Sequence, residues 1–500
     1  MFELSNIVEG LNVLLSGSSM LAILIGTIIG IIVGALPGAS ATMAIAVMIP
    51  ITFWFSAEFS LLMLISVYCS GIFGGAITAI LLNIPGTPAS AATSFDGYPL
   101  ARSGQGGKAI AVAIWSSFIG GLLSGIALLF AAPALATLAL RFGPPESMMV
   151  ALFGLTMVAS LSSENLAKGL LMGALGMFMG CIGLDPTFGY ARFTFGSPNL
   201  YSGIPVVPLL IGVFSVPEVI NMLTSKGWDK VVWDRKTKIR ISFKEFKSII
   251  KTCGVSAAIG MIIGLIPAIG PETATFIGYD QAKKMSENKE MFGKGAIEGV
   301  AASECANNAV VGTSLAPMFA LGIPGSGAAM VLMGGLMIHG LMPGPRLFTE
   351  HKSLLMTIFL GFIVAQFFML VGGLIAAKFS PAILNISHTI LGPSILIICM
   401  VGSFAVSNNI FDVYVMLIAG FISYFMGKAG FAPVPTVLGL ILGPMFEGEV
   451  GRTIRISSKT GFLPYILGRP ITLLLAALTI LTIALPIIFH KGGQKEVSIS

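Results

Sequence analysis

The chain of 500 residues is long enough for several soluble domains, but its composition excludes a soluble fold. Hydrophobic residues make up 55% of it and charged residues only 10%, and the mean hydropathy is +0.94, whereas a soluble surface needs about a quarter of the residues charged. The net charge of +6 does not indicate a nucleic-acid partner, because no Lys or Arg precedes Arg102 and nine of the 28 lie between 226 and 251. We therefore predict an all-α, multi-pass membrane protein whose surface is covered by the lipid bilayer.

Apolar segments long enough to enter or cross a bilayer follow one another along the chain. Before the basic stretch they lie at 17–36, 41–56, 59–83, 109–131, 147–163, 168–185 and 203–222. After it they lie at 248–268, 296–322, 327–338, 353–378, 382–405, 409–427, 431–446 and 470–489. A full crossing needs about 20 apolar residues, and several of these segments are shorter or are interrupted by Pro and Gly. The pattern predicts about 10–12 transmembrane helices together with broken or re-entrant hairpins.

Three proline motifs recur in the second half of the chain, which indicates an internal duplication. They keep their order at offsets of 230, 239 and 227 residues: Pro37 with Pro267, Pro85-Gly86 with Pro324-Gly325, and Pro208 with Pro435. We predict a first membrane repeat at 1–222 and a cytoplasmic basic linker at 223–247. A second membrane repeat follows at 248–447, and 448–500 form a C-terminal loop, a last transmembrane helix and a tail.

The number of crossings predicts that the two repeats are inverted. If 17–56 returns to its own side and 59–94 crosses once, the first repeat crosses five times and the second enters upside down. The same count places the basic loops around Arg102, 226–251 and 283–294 in the cytoplasm, as the positive-inside rule requires. It places the basic residues between Arg452 and Arg469 outside, which does not fit that rule.

Glycines recur every four residues in several apolar segments, which predicts close helix packing. Small faces let two helices approach and gain van der Waals contact inside a membrane. The spaced sets are Gly26, Gly30 and Gly34; Gly169 and Gly173; and Gly176 and Gly180.

The helix breaks favour binding of an anion. A half-helix that begins at membrane depth directs unpaired N–H groups and a partial positive charge toward the break. The residues that follow the breaks are mostly small or hydroxylated, although helix N-capping explains such residues equally well. The predicted substrate-binding residues are Gly38, Ser40, Thr42, Asn83, Gly86, Thr87, Ser90, Glu272, Thr273, Thr275, Gly325 and Ser326.

A second polar group indicates a site for the coupling cation. Spacings of three and four residues place Glu304, Asn307 and Asn308 on one face of a helix. Carboxyl and amide oxygens suit Na⁺, and a carboxylate also binds a proton. We predict a candidate sodium site at Asn83, Asn307 and Asn308. Purely structural alternatives remain. Glu272 is then explained by compensation of a helix dipole, and the two adjacent Asn residues by interhelical hydrogen bonds.

An enzyme is the less favoured interpretation, and we predict no catalytic residue and no cofactor beyond a coupling ion, Na⁺ or H⁺. The four histidines lack metal-ligand spacing, and the chain has no phosphate-binding loop for ATP. Ser326, with His339 nearby in sequence, leaves an intramembrane serine hydrolase as one alternative. A passive organic-anion channel is another.

Three long motifs carry a resemblance to a known family. Gly34–Pro50, Gly71–Lys108 and Gly264–Phe348 are similar to the large membrane permease subunit of the tripartite tricarboxylate transporters, and the likeness extends over nearly the whole chain. The resemblance implies a secondary transporter of the bacterial inner membrane that imports citrate or a related organic acid by symport. It also implies two partners, which are a small membrane subunit and a periplasmic substrate-binding protein.

Overall fold

The computed structural model describes residues 3–161, 165–185, 189–224, 239–267, 269–384 and 388–493. Residues 225–238 of the predicted basic linker lie outside these ranges. The described chain is helical apart from two short antiparallel strands, β1 (Gly183–Leu184) and β2 (Ala191–Arg192), in which Gly183 pairs with Arg192. The predicted all-α class is therefore confirmed.

Twenty α-helices lie in the described residues. In chain order they are α1 (Leu4–Leu14), α2 (Gly17–Gly34), α3 (Ala41–Thr52), α4 (Ala57–Leu82), α5 (Ala91–Leu100), α6 (Gly106–Ala139), α7 (Pro144–Leu161), α8 (Leu166–Gly180), α9 (Val206–Thr224), α10 (Phe243–Leu265), α11 (Gly270–Met285), α12 (Ile297–Leu321), α13 (Gly327–Ile338), α14 (Leu347–Glu350), α15 (Lys352–Leu384), α16 (His388–Ser407), α17 (Ile410–Lys428), α18 (Val434–Ile456), α19 (Phe462–Leu467) and α20 (Pro470–Gly493). Short 3₁₀ turns lie at Pro88–Ser90, Pro198–Leu200, Lys289–Met291 and Ser457–Lys459, and a π-helical turn lies at Ala101–Gln105.

Eight helical segments in the described chain are long and apolar enough to cross a membrane, so the protein is a multi-pass membrane protein. They are Gly17–Gly34, Ala57–Leu82, Pro88–Ala139, Val206–Thr224, Phe243–Leu265, Lys352–Phe379, Thr389–Ser407 and Ile410–Lys428. Four shorter apolar helices accompany them: Ala41–Thr52, Leu166–Gly180, Gly327–Ile338 and Pro470–Ala484. Two of these, α3 and α13, begin directly after a predicted helix break, as half-helices do.

The chain forms two compact units. Unit 1 contains 1–137 and 214–408, and unit 2 contains 138–213 and 409–500. Each unit therefore contains segments of both predicted repeats. The predicted domain boundaries describe the duplication along the chain and stay a prediction, as does the inverted orientation.

Glycine contacts form the core of unit 1. A Cβ on Gly26 would collide with the Met63 carbonyl of α4, and a Cβ on Gly34 would collide with the Gly71 carbonyl. In the second repeat, α10 packs on α12 in the same way, since a Cβ on Gly260 would collide with the Ala306 carbonyl. The close packing predicted from the spaced glycines of α2 is confirmed, and it lets each helix pair approach at backbone distance.

Unit 2 is built around α18. A Cβ on Gly176 of α8 would collide with the Thr436 carbonyl, and one on Gly180 would lie 3.0 Å from the Leu440 carbonyl oxygen. Helices α7 and α20 are joined by buried Glu146, which accepts hydrogen bonds from Arg469 (2.5 Å) and from the Thr472 hydroxyl (2.7 Å).

Candidate functional site

Four breaks between consecutive helices, here called corners, all belong to unit 1. Corner 1 (34–41) joins α2 to α3, and corner 2 (82–90) joins α4 to the Pro88–Ser90 turn and α5. Corner 3 (264–267 and 269–273) joins α10 to α11, and corner 4 (321–327) joins α12 to α13. The chain turns at residues with positive φ. Asn83 (57°) and Gly322 (74°) end α4 and α12 in the left-handed conformation, and Gly38 (78°) and Gly270 (75°) lie within corners 1 and 3.

Corners 2 and 4 have the same backbone geometry. The Gly86 N–H donates to the Gly75 carbonyl at 3.3 Å, and the Gly325 N–H donates to the Ser314 carbonyl at 3.2 Å. Donor and acceptor are separated by 11 residues in both corners, and both glycines are related by the 239-residue offset of the repeat. The duplication predicted from Pro and Gly spacing therefore appears as a repeated hydrogen-bonding pattern.

Each of these glycines also packs against the other corner of its own repeat. A Cβ on Gly86 would lie 2.6 Å from the Gly34 carbonyl oxygen, and one on Gly325 would lie 2.8 Å from the Gly264 carbonyl oxygen. Corner 1 therefore packs on corner 2, and corner 3 packs on corner 4. Glycine is needed at both positions because two backbones approach where a side chain would lie.

The two repeats also meet each other at the corners. Helix α13, which follows corner 4, packs on α3, which follows corner 1, and α11 packs on the Pro88–Ser90 turn of corner 2. From α4, the Tyr68 hydroxyl lies 2.7 Å from the Ser326 hydroxyl and 3.3 Å from the Ser314 hydroxyl. All four corners thus belong to one contiguous region, as the sequence predicts for residues that share a ligand.

The hydroxyls at the helix starts have local partners. Ser40 accepts a hydrogen bond from Met43 N, and Ser326 accepts one from Ala329 N, each at 3.1 Å. Both residues are therefore N-caps, which was the structural alternative for them. Thr87 lies at corner 2, where its hydroxyl pairs with that of Ser90 at 2.9 Å without capping the turn, and both residues are buried.

The other predicted binding residues differ in accessibility. Thr42 and Glu272 are half-buried in the first turns of α3 and α11, while Thr273 and Asn83 are exposed. Thr275 is fully buried, and its hydroxyl donates to the Glu272 carbonyl at 2.7 Å. Their roles in binding stay predictions.

A buried polar cluster lies on α12, beside corner 2. Both carboxylate oxygens of Glu304 accept hydrogen bonds, one from the Thr93 hydroxyl of α5 at 2.5 Å and one from the Ser117 hydroxyl of α6 at 3.0 Å. Asn307 and Asn308 follow on the same face and are also buried. Asn83 of the predicted sodium site is exposed, whereas its two predicted partners are at most 1% exposed.

Sequence reasoning missed several residues that contact the site. Tyr68 and Thr93 carry its cross-repeat contacts, and Glu218 of α9 hydrogen bonds with the Ser40 hydroxyl. Glu218 and Tyr68 are isolated polar residues in apolar segments, and that isolation was the available signal. Thr93 has no comparable signal, because one Thr among small residues does not stand out.

The region of the corners is built without a pairing cation. Within the described residues, the ion pairs found lie outside the four corners: Lys108–Glu245, Arg192 with Asp185 and Glu447, Lys284–Asp280, Arg452–Glu449 and Arg469–Glu146. His339 Nε2 lies 3.4 Å from the Thr52 hydroxyl, and the Ser326 hydroxyl contacts Tyr68. His339 therefore contacts Thr52, and Ser326 contacts Tyr68. These contacts do not pair His339 with Ser326, as a hydrolase that used them as base and nucleophile would require.

Comparison with known proteins gives the family. Residues 20–438 match the model of the tripartite tricarboxylate transporter TctA family. The chain is 35% identical over 454 residues to an uncharacterized 52.8 kDa protein in the TAR-I ttuC' 3' region of Agrobacterium vitis, covering 91% of this chain and 90% of that protein. It is 34% identical over 198 residues to an uncharacterized protein in the TAR-II ttuC' 3' region of the same organism, covering 40% of this chain and 82% of that protein. No solved structure matches the chain significantly. Because the family model spans most of the chain and includes all four corners, the chain belongs to the tripartite tricarboxylate transporter TctA family.

Proposed function

We propose that this protein is the large permease subunit of a tripartite, binding-protein-dependent secondary transporter. It imports an organic carboxylate, citrate or a related acid, across the bacterial inner membrane by symport with Na⁺ or H⁺. A small membrane subunit and a periplasmic substrate-binding protein are its partners. Membership of a transporter family supports the general activity, and the corners of unit 1 support the class of substrate.

The observation that carries this proposal is that corners 2 and 4 repeat the same backbone geometry. Gly86 and Gly325 hold the same hydrogen bond in two repeats, and each corner is followed by a helix or turn whose first N–H groups lack partners within that helix. Such ends attract anions, and transporters with broken helices place them at substrate carboxylates. In the absence of a pairing Lys or Arg at the described corners, carboxylate binding depends on backbone N–H groups, hydroxyls and the coupling cation.

In this mechanism both repeats contribute residues to the substrate site. Thr87 and Ser90 of corner 2 lie beside α11, which carries Glu272 and Thr275, and α13 of corner 4 lies beside α3, which carries Thr42. Movement of the hairpins of one repeat against those of the other changes the separation of these pairs, and so opens the site to one side of the membrane at a time.

Uptake of labelled citrate into proteoliposomes tests the proposal. We expect saturable accumulation that requires an inward Na⁺ or H⁺ gradient and increases when the small subunit and the binding protein are present. Unlabelled di- and tricarboxylates added as competitors rank the substrates. Equilibration that ignores every ion gradient would indicate the organic-anion channel and would remove the symport proposal.

Variants at the corners connect uptake to the site. Thr87→Ala removes a buried hydroxyl of corner 2 and should weaken apparent affinity by about two- to tenfold, the usual cost of one lost hydrogen bond. Thr349→Ala is the matched control, because its hydroxyl is exposed and donates only to the Arg346 carbonyl. Ser326→Ala separates the hydrolase alternative, since a hydrolase would lose ester cleavage and a transporter has no such activity to lose.

A further inference from the structure

Three of the buried carboxylates in the described chain, Asp96, Glu146 and Glu304, differ in how their charge is balanced. Asp96 accepts hydrogen bonds from the N–H groups of Gly293, Gly295 and Ala296 and from the Tyr279 hydroxyl, each at 2.8 Å. These three N–H groups lie at the N-terminal end of α12, whose dipole offsets a negative charge. In unit 2, Arg469 balances Glu146.

Glu304 has no such compensation. It is fully buried, and both of its hydrogen-bond donors, Thr93 and Ser117, are neutral hydroxyls. Within the described residues it takes part in no ion pair, and its position in the third turn of α12 is too far along the helix for the terminal dipole. A buried carboxylate held only by neutral donors has to be neutralised, either by a proton or by a cation that the protein itself does not supply.

Orphaned amide groups lie one turn further along the same helix face. Among the described residues, neither the side-chain oxygen nor the side-chain nitrogen of Asn307 has a hydrogen-bond partner, although Asn307 is fully buried. Asn308 donates from its amide nitrogen to the Glu304 carbonyl at 3.1 Å, and its amide oxygen is likewise without a partner. Buried polar atoms are nearly always paired, so two unsatisfied oxygens beside an unbalanced carboxylate indicate a ligand.

The packing of α5 on α12 shows what faces Asn307. Asp96 contacts the start of α12 and Thr93 contacts Ser303 at 3.0 Å, so the two helices run antiparallel. The chain that precedes α5 on the Asn307 side is the Pro88–Ser90 turn of corner 2. The contact of α12 with the Pro88–Ser90 turn agrees with this register.

The titratable side chains around Glu304 do not provide the missing charge. Helices α4, α5, α10 and α11 pack on α12, as does α6 through Ser117. The lysines of α10 and α11 are exposed, and Lys108 of α6 pairs with Glu245. The other titratable groups near Glu304 are the hydroxyls of Tyr68 and Tyr279, the thiols of Cys253 and Cys305, and the carboxyls of Asp96 and Glu272. These groups are neutral or acidic, so a metal cation that balances Glu304 has to come from solution.

We propose that Glu304, Asn307 and Asn308 form the binding site for the coupling ion, and that this ion is Na⁺. The inference rests on the proposed function and names the ion, with Glu304 rather than the exposed Asn83 as the third protein ligand. The site supplies one negative charge and two free amide oxygens, which suits a hard monovalent cation. A proton on Glu304 would leave those amide oxygens without partners, and a divalent ion would leave excess charge in the interior. Because α12 contacts the Pro88–Ser90 turn, the ion joins α12 to corner 2 and orders the hydroxyls of Thr87 and Ser90 for the substrate.

Binding of radioactive Na⁺ to the purified full-length protein tests the site without a substrate. We expect saturable binding that NaCl displaces and KCl does not. Glu304→Gln should abolish the binding, and Asn307→Ala should weaken it by about tenfold, as expected for the loss of one hydrogen-bond-like contact with a charge. Glu298→Gln is the matched control, because it removes a carboxylate from the first turn of the same helix, where Ser286 is its partner, and should bind Na⁺ as the parent does.

Each other outcome has a defined meaning. Absence of Na⁺ binding to the parent protein, or unchanged binding to Glu304→Gln, would overturn the site. If Glu304→Gln does not fold by gel filtration and circular dichroism, Glu304→Asp keeps the charge at a shorter reach and should bind more weakly, and equal affinity would overturn the site. If Na⁺ binding depends on Glu304 but proteoliposomes take up no carboxylate, the transport proposal fails and the ion site stands.

Discussion

The Tyr68 hydroxyl lies 2.7 Å from the Ser326 hydroxyl, and this contact joins the middle of α4 to the fourth corner across 258 residues of sequence. Ser326 also caps α13 through Ala329 N, so its position is fixed from two sides. Tyr68 is fully buried on α4 of the first repeat. The contact therefore couples the core of one repeat to a half-helix start of the other.

We expect Tyr68→Phe to lower the apparent affinity for the carboxylate by about two- to tenfold. The substitution removes the hydrogen bond between Tyr68 and Ser326 and keeps the bond from Ala329 N to the Ser326 hydroxyl. Ser326→Ala should have an effect of similar size, and the double variant should be no worse than the more severe single variant. Uptake kinetics in proteoliposomes measure all three. Tyr414→Phe, at an exposed position of α17, is the control. Additive effects would show that the two hydroxyls act separately.

Gly86→Ala and Gly325→Ala should each destabilise the protein by about 1–3 kcal/mol, the usual cost of forcing an atom into a packed core. The added Cβ would meet the Gly34 carbonyl oxygen at 2.6 Å in the first repeat and the Gly264 carbonyl oxygen at 2.8 Å in the second. Thermal unfolding followed by size-exclusion fluorescence measures the change. Gly254→Ala is the control, since nothing lies within 4 Å of its Cβ position and Ala is the better helix former. Equal stability of all three variants would mean that the corners are not tightly packed.

Asp96→Asn should lower stability by at least about 2 kcal/mol, because the amide cannot accept as the carboxylate does from three N–H groups and the Tyr279 hydroxyl. The start of α12 should then open more often. Amide hydrogen exchange at Gly293, Gly295 and Ala296 would report this as roughly 30-fold faster exchange. Asp280→Asn is the control, since its pair with Lys284 is exposed and should contribute less than about 1 kcal/mol. Unchanged exchange in Asp96→Asn would contradict a role in holding α12.

In unit 2, Arg469→Met should cost about 3–5 kcal/mol, because Glu146 is 4% exposed and would keep a charge without its cation. Replacing Glu146 by Met in the same chain should recover much of that loss, since the pair is then exchanged for apolar contact. Thermal unfolding of the single and double variants measures both effects. Arg452→Met breaks an exposed pair with Glu449 and should change stability by less than about 1 kcal/mol. A double variant as unstable as Arg469→Met would argue against an unbalanced charge as the cause.

The sequence alone determined the class of the protein and its repeated architecture. An apolar, charge-poor chain has to be covered by lipid, where helices and closed barrels satisfy the backbone. The long apolar runs without alternation then favoured helices. Pro and Gly interrupt a helix locally, so the corners and the 239-residue offset between Gly86 and Gly325 could be identified from the sequence. The three motifs that resemble the transporter family include the same four corners.

Only the tertiary structure decided which corners meet and which side chains remain without partners. The division into units that mix both repeats, the Tyr68–Ser326 contact and the Thr93–Glu304 contact join residues far apart in sequence, and no local pattern encodes such pairs. Sequence spacing placed Glu304 beside Asn307. It did not show that Asp96 accepts hydrogen bonds from three N–H groups, whereas the donors to Glu304 within the described residues are two neutral hydroxyls. Charge balance in an interior depends on what neighbouring helices bring to it, and packing alone fixes those neighbours.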